Sequence, residues 1–122
     1  MTIQHHIAQI GCGYWGPNLL RNCVTNPRCA IKYVCDLFEK RRHYVKQLYP
    51  TISTLSDYKH ALNDDSITAV IIATPVQTHF NIAIEALKAG KHILVEKPMA
   101  VSTQEIEQIK ALSETMGLIA MA

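Results

Sequence analysis

Glycines at positions 11, 13 and 16 follow directly on a β-rich run at 6–10 and open a helical pattern in which Gly16, Leu19, Leu20 and Cys23 share one face. A strand that must turn at once into a helix through such a stretch has few ways to fold. The first glycine permits the tight turn, the second lets the main chain approach a phosphate, and the third lets helix and strand lie close together. Pro17 falls in the first helical turn, where its missing N–H costs no intrahelical bond.

The same alternation continues to the end of the chain. Further β-rich runs at 31–35, 68–73, 92–95 and 118–122, with a weak one near 51–53, are separated by helical patterns. This order predicts βαβ units and a mostly parallel sheet. The fold expected is α/β, a three-layer, doubly wound sheet of the Rossmann type with strand order 3-2-1-4-5-6. Arg41, Tyr44, Val45 and Leu48 would form the buried stripe of the second helix, and Phe80, Ala83, Ile84 and Leu87 that of a later one. A short helix at 57–62 would take Ser56 as its N-cap and end in the turn-rich residues 63–66. Ser102 and Glu105 form a capping-box pattern at the start of the last helix, which Gly117 would close.

Of the 122 residues, 48% are apolar and 18% charged, which suits one globular domain, 1–122, with no internal boundary. The run at 118–122 reads as a strand with nothing after it, so the chain is expected to be a piece of a longer protein. The net charge of +2 and the single basic run at 40–43, at a helix start, point to a solvated face and not to nucleic acid. No apolar stretch is long enough to span a bilayer, and residues 1–6 do not have the form of a secretory leader. Cys12, Cys23, Cys29 and Cys35 contain no C-x-x-C pair and read as free thiols of a reducing cytoplasm, with Cys23 and Cys35 at core positions. The six histidines lack ligand spacing, so no metal site is expected.

Twenty residues beyond Gly16, Asp36 ends the second β-rich run, where a carboxylate accepts hydrogen bonds from the adenosine ribose of a dinucleotide. Strand, glycines, helix, strand and acid in register predict NAD binding. NADP is disfavoured because Asp36 would repel a 2′-phosphate, although an arginine within 40–42 could accommodate one. Tyr14 and Trp15 either cover the turn or pack against a neighbour, or else border the nicotinamide or substrate side of the cleft.

In an open parallel sheet the loops at the carboxyl ends of the strands share one edge, which brings two more loops to the glycine turn. One holds Ala73, Thr74 and Pro75 and leads to His79; the other holds Glu96, Lys97 and Pro98. A lysine beside a nicotinamide can move a hydroxyl proton during hydride transfer. The competing reading is an exposed Glu96/Lys97 pair at a strand end. His79 either lines the cleft or is a polar residue near a helix start. Pro98 biases Lys97 toward extended backbone and permits a cis bond.

Taken together, the glycine turn at 11–18, Asp36, the 73–75 loop with His79, the stretch 86–92 and the Glu96-Lys97-Pro98 element resemble the Gfo/Idh/MocA oxidoreductases, over essentially the whole chain. The Gly-Tyr-Trp-Gly-Pro-Asn form of the turn, 13–18, is similar to members that oxidise nucleotide sugars. The resemblance implies that Lys97 lies at the reacting carbon, that Glu96 and the 74–79 loop line the nicotinamide side, and that Asp36 holds the adenosine ribose. It also implies a sugar-type substrate and a second α/β domain that supplies further catalytic groups and the interface of a homo-oligomer. Two alternatives remain open: a non-catalytic dinucleotide sensor, and an enzyme that uses NAD transiently in glycoside cleavage or elimination.

Overall fold

The computed structural model describes residues 4–122; Met1, Thr2 and Ile3, part of the stretch read for a leader, lie outside the described residues. Six parallel strands, β1 (His5–Ile10), β2 (Cys29–Cys35), β3 (Ser53–Leu55), β4 (Ala69–Ile72), β5 (His92–Val95) and β6 (Ala120–Met121), form one sheet in the order β3-β2-β1-β4-β5-β6. This is the doubly wound order expected from the alternation. It reverses between β1 and β4, which opens a crevice at the carboxyl ends of those strands.

Five helices connect the strands: α1 (Gly16–Thr25), α2 (Glu39–Leu48), α3 (Lys59–Leu62), α4 (His79–Lys88) and α5 (Thr103–Met116). One core joins Ala8, Ile10, Val70, Ile72, Ile93 and Val95 of the sheet to Ala61, Ile82, Ala83, Leu87 and Ile109 of α3, α4 and α5. A smaller one holds Val34 against Leu20 and Val45 of α1 and α2, with Cys12 and Ile52. Helices on both faces explain why β4 is an uninterrupted apolar run.

Several local expectations shift. The weak strand forms at 53–55, two residues later, because its pairing partners are Tyr33, Val34 and Cys35 at the end of β2. The short helix contracts to 59–62, since Asp57 Oδ1 accepts the Lys59 N–H at 2.9 Å and holds the preceding turn; Ser56 does not cap it. In α2 only Val45 is buried, and Tyr44 and Leu48 are exposed, because this helix packs against β2 and the short edge strand β3. In α4 the buried stripe is Ile82, Ala83, Ala86 and Leu87, with Phe80 and Ile84 only partly covered. Periodicity sets the spacing of such a stripe but leaves its phase to the facing surface. Cys35 is buried as expected, whereas Cys23 is half-buried. Ser102 does cap α5, accepting the Glu105 N–H at 3.2 Å, and Gly117 ends the helix at φ +67°.

Around the start of β4 a polar cluster ties the sheet together. Asp64 receives Lys32 Nζ and the Tyr33 hydroxyl, each at 2.6 Å, and the Ser66 hydroxyl at 2.7 Å, and these donors hold its carboxyl far below the usual carboxylate range. The buried Lys91 donates to the Asp64 carbonyl at 2.8 Å, so its charge is hydrogen-bonded rather than stranded.

Candidate functional site

The glycine turn is wedged between the carboxyl ends of β2 and β4. Gly11 adopts φ +93°, and its N–H donates to the Cys35 carbonyl at 2.7 Å. A Cβ there would stand 2.4 Å from the Ala73 carbonyl oxygen, so both conformation and space require glycine. Beneath the turn lies a residue that the sequence reading missed. Gln9 is fully buried, and its Nε2 donates to the carbonyls of Gly11 at 3.0 Å and Gly16 at 2.8 Å, gripping the turn at both ends. The available signal was one amide within the apolar stretch Ile7–Ile10. Its Oε1 has no partner among the described residues.

Above the turn, the main-chain N–H groups of Gly13, Tyr14 and Trp15 have no protein partner among the described residues, and they stand at the start of α1. Around Gly13 the nearest atoms are those of the Arg41 guanidinium, at 3.4 Å or more from the Cβ position. Such a row of unpaired donors at the positive end of a helix fits a pyrophosphate. Tyr14 and Trp15 are exposed and meet edge to face at a centroid distance of 5.7 Å, so they stand on the lip of the cleft and do not cover the turn.

At the end of β2, Asp36 is embedded in main chain. Oδ2 accepts the Cys12 N–H at 2.8 Å and Oδ1 accepts the Phe38 N–H at 2.9 Å. Arg42 Nη1 donates to the carbonyls of Asp36 and Leu37, at 2.8 and 3.1 Å. Burial first, and the Asp36 charge second, push the Cys12 thiol up to about 11, so this cysteine is a neutral space-filler in the turn.

After β4, Thr74 and Pro75 enter a single tight turn at 76–78, where Thr78 Oγ1 lies 2.6 Å from both Thr74 Oγ1 and the Pro75 carbonyl. His79 does not form part of the cleft wall. It is 2% exposed, and its ring nitrogens face the carbonyl oxygens of Thr74 at 2.7 Å and Pro98 at 2.9 Å, so it rivets the two loops to each other. The Lys97–Pro98 peptide is cis.

These loops enclose a cleft of about 1050 Å³. It runs from Gly11, Gly13, Tyr14 and Trp15 past Asp36 and Arg41 to Ala73, Thr74, Pro75 and Glu96. That is at the upper end of the roughly 300–1,000 Å³ usual for small-molecule sites. Tyr58 and Glu85 close one wall with a 3.0 Å hydrogen bond, and burial, reinforced by that bond, pushes the Tyr58 hydroxyl up to about 12. Lys97 is exposed and lies in an adjoining depression with Leu19, Leu94 and Ala122; Glu96 borders both spaces. Gly16 lies under the turn at the start of α1, its Cβ position 3.0 Å from the Gly11 carbonyl. Among the described residues no helix is long and apolar enough to cross a membrane.

Comparison with known proteins bears on this geometry. Residues 5–122 match the oxidoreductase family described as having an NAD-binding Rossmann fold. The NAD-dependent scyllo-inositol 2-dehydrogenase of Bacillus subtilis is 36% identical over 93% of this chain and 33% of its own length. The NADP-dependent scyllo-inositol 2-dehydrogenase IolW of the same organism is 28% identical over 70% of this chain and 24% of its own length. Among solved structures, GenD2 from gentamicin A biosynthesis, in complex with NAD, superposes with a TM-score of 0.94 at 28% identity, over 99% of this chain and 34% of GenD2. The chain thus spans about a third or less of these relatives. With the glycine turn, the strand order and nearly every residue accounted for by that match, the chain belongs to the Gfo/Idh/MocA oxidoreductase family, as its NAD(P)-binding Rossmann domain.

Proposed function

We propose that this chain is the cofactor-binding domain of an oxidoreductase that moves a hydride between nicotinamide and a hydroxyl-bearing carbon of a sugar, nucleotide sugar or cyclitol. The observation that carries this reading is the row of unpaired N–H groups at Gly13, Tyr14 and Trp15, in one cleft with the Asp36 carboxylate and Glu96. The N–H groups would hold the pyrophosphate, and Asp36, each of whose oxygens keeps a free lone pair, would accept the hydroxyls of the adenosine ribose. Ala73, Thr74, Pro75 and Glu96 would border the nicotinamide, which when bound supplies the hydride acceptor. Lys97, next along the chain from Glu96 and open to solvent, would hold or release the proton of the substrate hydroxyl. His79 would act from below, keeping the 74–75 and 97–98 loops in register. The inositol dehydrogenases among the relatives support the substrate class.

Titration of the chain with NADH and NADPH, followed by nicotinamide fluorescence or calorimetry, tests the cofactor reading; saturable binding is expected. In the complete protein, Lys97→Ala should abolish turnover while cofactor affinity is retained. Undiminished turnover would remove Lys97 from the chemistry. Net NADH production from a sugar or cyclitol alcohol would exclude both a sensor and a transient-redox glycosidase.

A further inference from the structure

We propose that Cys23 and Cys29 form a reversible disulfide within the chain, closed by a low-molecular-weight disulfide such as oxidised glutathione and reopened by a thiol. The pair lies at the end of α1 remote from the glycine turn, outside the dinucleotide reading above. Cys12 and Cys35 are buried, whereas Cys23 and Cys29 are only half-buried. The fold brings the latter two to one seam. On α1, Cys23 follows the buried Leu20 by three residues and shares its face. On β2, Cys29 and Ile31 lie two apart on one face, ahead of the register shift that follows Ile31, and Ile31 packs against the cluster that holds Leu20.

The connection between α1 and β2 holds the two residues together. The Asn26 N–H donates to the Cys23 carbonyl and the Cys29 N–H to the Asn26 carbonyl, each at 3.1 Å, and the Arg28 N–H donates to Asn26 Oδ1 at 2.9 Å. Pro27, between them, has its φ fixed by its ring. The Cys29 thiol is near enough to act on its neighbour: burial first, and Cys29 second, push the Cys23 thiol up. Residues 24–28 are exposed, which leaves the seam open to a small reagent. One cysteine, having given up its proton, attacks a sulfur of the oxidised reagent; a mixed disulfide forms, the reagent S–S bond breaks, and the departing thiolate takes up a proton. The second cysteine, likewise deprotonated, attacks the protein sulfur of that mixed disulfide and expels the other reagent thiol. The two cysteines lose two electrons and two protons, and one reagent disulfide becomes two thiols.

The test is equilibration of the chain with mixtures of oxidised and reduced glutathione, followed by acid quenching and tryptic mapping without reduction. Cleavage after Arg21, Arg28 and Lys32 puts the two cysteines on separate peptides, 22–28 and 29–32. The bond then appears as one linked species, lighter than the two peptides together by two hydrogen atoms. This species is expected from the folded chain and should vanish with dithiothreitol. Its closing constant should be at least about tenfold larger than in urea, because the fold already holds the thiols together. By linkage the oxidised chain should unfold at a higher urea concentration than the reduced one. At least one of Cys23→Ser and Cys29→Ser should accumulate a glutathione adduct on the remaining cysteine of the pair. Separate adducts on Cys23 and Cys29 without the linked species, a bond to Cys12 or Cys35, a bond between two chains, or no adduct in either variant overturns the proposal. So does a closing constant as large in urea as in the folded chain.

Discussion

Asp36 Oδ2 accepts the main-chain N–H of Cys12 at 2.8 Å, a bond between residues 24 apart that fastens the end of β2 to the turn after β1. The carboxylate proposed to hold the cofactor ribose is thus also a structural clasp. Asp36→Ala would strand the Cys12 N–H in a buried position, and should lower the unfolding free energy by about 1–3 kcal/mol before any cofactor is added. Urea denaturation of the unliganded chain measures this; an unchanged midpoint would show that the clasp carries no stability.

Two glycines of the turn should respond to substitution in opposite ways. At Gly11 a methyl group meets the Ala73 carbonyl oxygen at 2.4 Å and the backbone is left-handed, so Gly11→Ala should destabilise the fold by at least about 2 kcal/mol. At Gly13 the nearest atom is the end of the mobile Arg41 side chain, so Gly13→Ala should keep the stability within about 1 kcal/mol yet weaken cofactor binding, because the methyl group fills the approach to the main chain. Parallel thermal melts and NADH titrations separate the two effects.

His79 is buried with two carbonyl partners on different loops. His79→Leu keeps the volume roughly but takes the imidazole N–H donor away from these carbonyl oxygens, with an expected loss of about 1–3 kcal/mol. Amide exchange should accelerate in the 74–78 and 96–99 segments more than in β1 or β4. Uniform exchange would mean that His79 supports the whole fold and not these loops.

Burial first, with the charges of Asp57 and Asp36 adding to it, pushes the Cys35 thiol up from 9.0 to about 12. An unfolded thiol ionises near 9.0 while the native one stays protonated, so the native state binds more protons above that pH. The contribution is fully present below pH 9.0 and is lost as the pH rises toward about 12. The unfolding free energy should fall with a slope approaching about 1.4 kcal/mol per pH unit from this group. Cys12, raised to about 11, adds to the effect in the same direction. Urea midpoints on either side of pH 9.0 check it, and a Cys35→Ala chain should show a shallower decline.

The parts legible beforehand were those whose cause is local. Strand and helix alternate in the order of the hydrophobic pattern, and β5 falls where its apolar run lies. Gly11 and Pro17 occupy positions that backbone sterics allow them. Less legible was anything that depends on a facing surface. The α4 stripe turned from Phe80 and Ile84 to Ile82 and Ala86, and α2 kept only Val45 inside, because the sheet each covers determines which side is buried.

The same division runs through the cleft. Sequence alone determined that glycine turn, Asp36, the 73–75 loop and the Glu96-Lys97-Pro98 element share one edge, because parallel strands joined by right-handed crossovers send their carboxyl ends the same way. Only the tertiary structure decided what each side chain does there. It turned His79 inward to rivet two loops, set Gln9 under the turn, recessed Asp36 beneath main-chain donors and left Arg41, not Arg42, facing the cleft. Those outcomes follow from hydrogen-bond partners far apart in the chain. Every buried polar group must find such a partner, and where the partner lies is a property of the folded chain.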